Sequence, residues 1–184
     1  MNQEYLRRFE NRLRYQLLRI CTSEKLLEGT LLSTEDIDLY WNKLAPEYMA
    51  DAVPQIPDYP TVSVAWAAYL GLAIAYGWDK DWEACSKTPY ASYYGEQGFD
   101  DMDEHIIQKI LGLPIDGHES RTLENVIRRC GEEAVSLIRH EQVEPQSPLA
   151  FYVYACACKM MFRIGAAIEL KRLGYKFEKV DMAH

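Results

Sequence analysis

Eighteen consecutive residues, Thr61 to Trp78 (TVSVAWAAYLGLAIAYGW), carry no charge, and this run limits what the chain can become more than any other feature. As a helix it is apolar around most of its circumference, so it either lies buried in protein or crosses a membrane. Its length is at the lower edge for a bilayer span. Ala, Gly, Ser, Thr and Tyr supply most of it, and these residues give little insertion energy beside Leu, Ile or Phe. Trp66 and Tyr69 sit inside the run rather than at its ends, and Asp58, Asp79 and Asp81 flank it. Val64, Ala67, Ala68, Gly71 and Ala75 make one narrow face of small residues where a second helix can come close. The reading is a buried central helix, with the small residues Ala155, Cys158, Gly165 and Ala166 of the last helix as its neighbour.

The rest of the chain reads as helices around that centre. Leu6, Phe9, Leu13, Leu17 and Ile20 recur at three- and four-residue spacing and predict an amphipathic helix over 2–28, stopped at Gly29. Ser33 is expected to cap a second helix with Ile37, Tyr40, Trp41 and Leu44 inside, and Pro46 to kink or restart it. VPQIPDYP, with prolines at 54, 57 and 60, predicts a stiff extended connector. A short amphipathic piece follows Asp79. Further helices are expected over 100–111 and over about 116–141, the latter opened by Asp116 and Glu119 as a capping box. The last helix runs from Pro148 to about 173 and stops at Gly174. Residues 175–184 form a tail in which Tyr175, Phe177 and Val180 are candidates for an extended strap.

No strand-like alternation of useful length occurs. The expected fold is all-α, a single-domain bundle of five to seven helices over 1–184, with two central apolar helices at about 60–77 and 148–173. Pro57-x-x-Pro60 precedes the first of these and Pro145-x-x-Pro148 the second. A degenerate duplication of a helical hairpin, with halves 1–86 and 87–184, is one account of that regularity; coincidence is the other.

Charge and cysteines narrow the function classes. The formal net charge is −8, the wrong sign for displacing counterions from nucleic acid. Arg7, Arg8, Arg12, Arg14 and Arg19 crowd the first helix, where the simplest reading pairs them with glutamates of the same helix. Cys21, Cys85, Cys130, Cys156 and Cys158 are odd in number and lack a C-x-x-C, so neither a disulfide framework nor a zinc site is indicated. They fit buried small side chains in a reducing compartment, and a cytoplasmic location is the default expectation.

Catalytic motifs are absent. No Glu-x-x-His or His-Glu-x-x-His occurs, nor a phosphate-binding glycine loop or a nucleophile elbow. The nearest substitute is Asp101 with His105 on one helix and Glu133 with His140 on the next; these four could hold a metal or do acid–base work only if the two faces met. No cofactor is expected. The strongest surface candidate is residues 89–106, which combine Tyr90, Tyr93, Tyr94 and Phe99 with Asp100, Asp101, Asp103 and Glu104 and contain no Lys or Arg. Tyrosines give large contact area at low entropic cost, and clustered carboxylates steer basic partners. These tyrosines could instead complete the core. The leading expectation is a cytoplasmic helical binding protein that engages another protein, basic in character or a second copy of itself, through this strip, with neither nucleic acid nor membrane as partner. The alternative is a small-molecule or metal-dependent enzyme with its site between the central helices.

Overall fold

The computed structural model describes residues 3–176, all of whose regular structure is helical. The six helices are α1 (Gln3–Ser23), α2 (Glu35–Ala52), α3 (Pro60–Cys85), α4 (Met102–His105, continued by one π-helical turn, Ile106–Ile110), α5 (His118–His140) and α6 (Pro148–Arg172). Short 3-10 turns cover Val53–Gln55 and Tyr90–Tyr93.

The uncharged run lies inside α3, which is buried from Ser63 to Ala75 apart from Trp66. Its most extensive partner is α6. Both helices open with proline at the first position, where the missing N–H costs no hydrogen bond. They run in the same direction. Ser63 meets Tyr154 near their starts, and Gly71 meets Phe162 and Ala166 in the middle. Glu169 lies within electrostatic reach of Asp79 further on. At the crossing the two backbones touch with no side chain between them: a Cβ on Gly165 would lie 2.7 Å from the Ala68 carbonyl carbon, and one on Gly71 would lie 2.7 Å from the Ala166 nitrogen. The face of small residues read from the sequence is this contact. α3 and α6 are each long and apolar enough to cross a membrane; in this fold each spends most of its apolar surface on the bundle core.

The remaining helices enclose the pair. α5 runs against α3, with Gly131 facing Ala65 and Thr61. α1 lies across α5 and α6, burying Phe9, Leu13, Leu17 and Cys21. Arg12 pairs with Glu141 just past α5 rather than with a glutamate of α1, while Arg14 reaches Asn11 along α1 at 3.5 Å; in the reverse sense Arg163 of α6 reaches Glu10 at 3.9 Å and Asp38 at 3.5 Å. α2 packs Tyr48, Trp41 and Met49 inward, with Trp41 5.0 Å from the Phe162 ring.

Several boundaries differ from the expectation. α1 stops at Ser23 because Lys25 takes a left-handed conformation (φ 63°) and Leu26 and Leu27 turn back to the Cys21 carbonyl, which buries Leu27. Thr34, not Ser33, caps α2, accepting from the Ile37 N–H at 3.0 Å. α2 continues through Pro46, which lies on the solvent side. α3 runs past Gly77 to Cys85 and breaks at Asp81 (φ −165°, ψ 93°), whose carboxylate caps the next turn through the Ala84 N–H at 3.2 Å. α5 starts at Gly117 with no side-chain cap, so the expected Asp116–Glu119 box does not form. The helix expected from an Asp100 cap to about Leu111 starts one residue later, at Met102 with Asp101 in the cap position, and widens into the π turn. Phe177 and Val180 of the expected strap lie outside the described residues.

Candidate functional site

The aromatic half of the sequence-derived surface faces inward. Tyr90, Tyr93 and Phe99 are buried, and Tyr94 is half-buried. The cause is Asp51 at the end of α2, which accepts hydrogen bonds from the Tyr90 hydroxyl at 3.1 Å and the Tyr94 hydroxyl at 2.5 Å. Burial first, and the Asp51 carboxylate after it, push the Tyr94 phenol up to about 12. Tyr93 lies beside Cys85 and Thr88. Phe99 meets Tyr48 edge-on at 5.7 Å, and its carbonyl accepts from the Trp66 indole at 2.9 Å. These rings fasten the 89–105 segment onto α2 and α3, so they belong to the core rather than to a contact surface.

The acidic half divides. Asp100 and Glu104 are exposed. Asp101 turns back to accept from the Gln97 N–H at 3.1 Å, holding the turn closed by Gly95 and Gly98. Asp103 is half-buried and its carboxyl is pushed up to about 6, by burial first and then by the charges of Glu104 and Glu124. The four residues weighed as a metal or acid–base group do not assemble. His105 Nε2 is 3.1 Å from the Ser92 carbonyl, His140 Nδ1 is 2.7 Å from the Ser136 carbonyl one turn back on α5, and Asp101 is committed to Gln97. Among the described residues, no three His, Cys, Asp or Glu side chains come together as metal ligands.

A different feature has the shape of a site. Because α3 and α6 are parallel, the two proline connectors that precede them reach the same end of the bundle. Between them opens a cleft of about 590 Å³. Val53, Ile56 and Pro57 form one wall, and Ile138, Arg139, Gln142 and Val143 at the end of α5 form another. Pro145, Gln146 and Ser147 with the first turns of α6 complete it, and Val153 and Tyr154 lie deepest. The volume falls in the range of small-molecule sites, and the lining is mostly apolar, as such sites are.

Below the cleft sits a closed polar network. The Ser63 hydroxyl donates to the Ala52 carbonyl at 2.7 Å and is paired with the Tyr154 hydroxyl, while the Tyr48 hydroxyl donates to the Ser63 carbonyl at 2.6 Å. Burial raises the Tyr154 and Tyr48 phenols far above their ordinary range, so both stay neutral donors. With its hydroxyl engaged, Tyr154 offers the cleft its ring. The rim is unusually apolar for a surface: Val53 and Ile56 are 39% exposed, Tyr152 40% and Phe151 49%. These residues escaped the sequence reading because each lies beside a proline connector judged structural. The available signal was Val53 and Ile56 inside one connector, and Phe151-Tyr152 just after the other. No family model matches this chain, and no curated protein or solved structure resembles it.

Proposed function

We propose that this chain is a binding protein, and that the cleft between the two proline connectors is where it holds an apolar ligand. The observation that carries the reading is the composition of the cleft. Apolar side chains dominate it, and among the described residues no Asp, Glu, His, Cys or Lys lines it. Its one alcohol aimed at chemistry, Ser147, is occupied as the cap of α6, accepting from the Ala150 N–H at 3.1 Å. A general acid or base would need a titratable group within hydrogen-bond reach of a bound substrate, so binding without turnover is the activity this lining suits.

The test uses N-phenyl-1-naphthylamine, a neutral probe that brightens in apolar surroundings. Wild-type protein is expected to bind it saturably at one site per chain. Ala150→Trp, which fills the cleft from the first turn of α6, is expected to abolish that site while leaving the far-UV circular dichroism unchanged. Equal binding by both proteins, or none by wild type, ends the reading.

A second reading, contact with another protein, is favoured by the exposed rim of Val53, Ile56, Phe151 and Tyr152, since clustered exposed hydrophobics mark interaction surfaces. The exposed carboxylates of Asp100 and Glu104 would then speed capture of a basic partner, and Asp100→Asn with Glu104→Gln would slow it at low salt. A cytoplasmic setting accords with both readings, because all five cysteines are free thiols.

A further inference from the structure

We infer that the ligand of this cleft is an amphipathic monoanion, an unbranched apolar chain ending in a carboxylate, with the chain against Val153 and Tyr154 and the carboxylate on Arg139 at the mouth. The inference rests on the reading of the cleft as a ligand site.

Two observations define the ligand. The first is how polarity changes with depth. Val153 and Tyr154 are buried at the floor, and Ser63 already occupies the Tyr154 hydroxyl, so the inner end presents no free polar group. A polar head placed there would be desolvated without a partner, which costs more than any contact it could make. The inner end therefore takes chain. The second is charge. Among the described residues Arg139 is the one charged residue lining the cleft; it is exposed, and its guanidinium takes no ion pair with any of them. A neutral head would gain nothing from that exposed cation, and a cationic head would be repelled.

The same arithmetic selects the head group. A guanidinium forks onto a carboxylate with two parallel hydrogen bonds and matches its single charge. A phosphate monoester brings nearly two negative charges and would call for a second cation, yet among the described residues no Lys or His lines the cleft. A carboxylate is the better match.

The experiment displaces N-phenyl-1-naphthylamine from wild-type and Arg139→Gln protein with dodecanoate, dodecanol and dodecyl phosphate at low ionic strength. Among the described residues the Arg139 side chain makes no hydrogen bond or ion pair, so the variant is expected to keep its stability, and the dodecanoate-to-dodecanol ratio is read within each protein. Wild-type protein is expected to bind dodecanoate about fivefold more tightly than dodecanol, the scale of one partly exposed ion pair. The preference should vanish in Arg139→Gln while the dodecanol affinity stays put. Equal affinities in wild type, a preference that survives Arg139→Gln, or dodecyl phosphate outcompeting dodecanoate would each overturn the inference while leaving the apolar site standing. Failure to bind the neutral probe at all removes the site itself. Sedimentation velocity closes the remaining route. If wild type dimerises and its affinity for the probe rises on dilution to monomer, a second copy occupies the cleft and the inference is wrong.

Discussion

Replacing Gly165 with alanine tests the centre of the fold, because two familiar effects oppose each other there. Alanine is the better helix former by about 1 kcal/mol, so propensity alone makes Gly165→Ala stabilising. The packing argues the reverse. The new Cβ would stand 2.7 Å from the carbonyl carbon and 2.9 Å from the Cα of Ala68, whereas carbon atoms rest at about 3.5–4.0 Å. The obstacle is backbone, so no rotamer change can relieve it; α3 and α6 must separate by about 1 Å. A gap of that size forfeits a quarter to a half of the attraction of the atoms it parts, and it would open along the most extensive contact in the molecule. Overpacking typically costs about 1–3 kcal/mol. With rigid backbone on both sides we expect the upper end, for a net loss of about 2 kcal/mol after the propensity gain. In a chain of this length that lowers Tm by roughly 4–8 °C. Gly131→Ala supplies the comparison. Its Cβ would meet the Ala65 methyl at 3.0 Å and the Thr61 methyl at 3.1 Å, tight but against side chains, so it should fall within about 1 kcal/mol of wild type. Urea unfolding followed by circular dichroism and tryptophan fluorescence, with equal m-values, reads both. A Gly165→Ala protein as stable as wild type, or no worse than Gly131→Ala, would refute the backbone-contact argument.

Further tests address the polar interior and the thiols. Ser63→Ala removes the partner of the buried Tyr154 hydroxyl and a donor to the Ala52 carbonyl, so a loss of about 1–3 kcal/mol is expected. Tyr154→Phe in the Ser63→Ala background should recover part of it in the same urea assay. Asp103, raised from 3.8 to about 6 mainly by burial, is neutral in the fold where it would be ionised in the unfolded chain. Its stabilising contribution is therefore present below pH 4 and fades as pH rises through 6. Asp103→Asn should flatten the stability profile between those pH values and raise stability at pH 7. Burial raises the thiols of Cys85, Cys156 and Cys158, the last two to about 12. A hydrogen bond to Cys21, and burial after it, raises Cys130. Thiolate is the reactive form, so iodoacetamide at pH 8 should leave these four thiols of the native protein unmodified, by intact mass and peptide mapping, and alkylate all five once urea unfolds it.

The central helices were legible because their signal is local. An uncharged run, proline at the first turn and a stripe of small residues depend on neighbours in sequence, and α3 and α6 follow them closely. The failures share the opposite property. Nothing near Tyr90 or Tyr94 tells that Asp51 will collect both hydroxyls, so the aromatic half of a strip that looked like a contact surface turned inward. Lys25 ended α1 before Gly29 because burying Leu27 outweighed continuing an exposed turn. The cleft was least visible, since its walls are two connectors far apart in the chain that meet only because α3 and α6 are parallel. The repeated proline spacing pointed at both walls without showing that they face each other.

That parallel pairing also bears on how the protein is made. α3 is complete at Cys85, but the helix that shields it ends at Arg172. At about 5–20 residues per second of synthesis, the ribosome needs roughly 4–17 s to supply the missing partner. For that interval the least charged segment of the chain is in the cell without its cover. A nascent chain halted between α5 and α6 should therefore recruit holding chaperones strongly, and one released just past Arg172 should not.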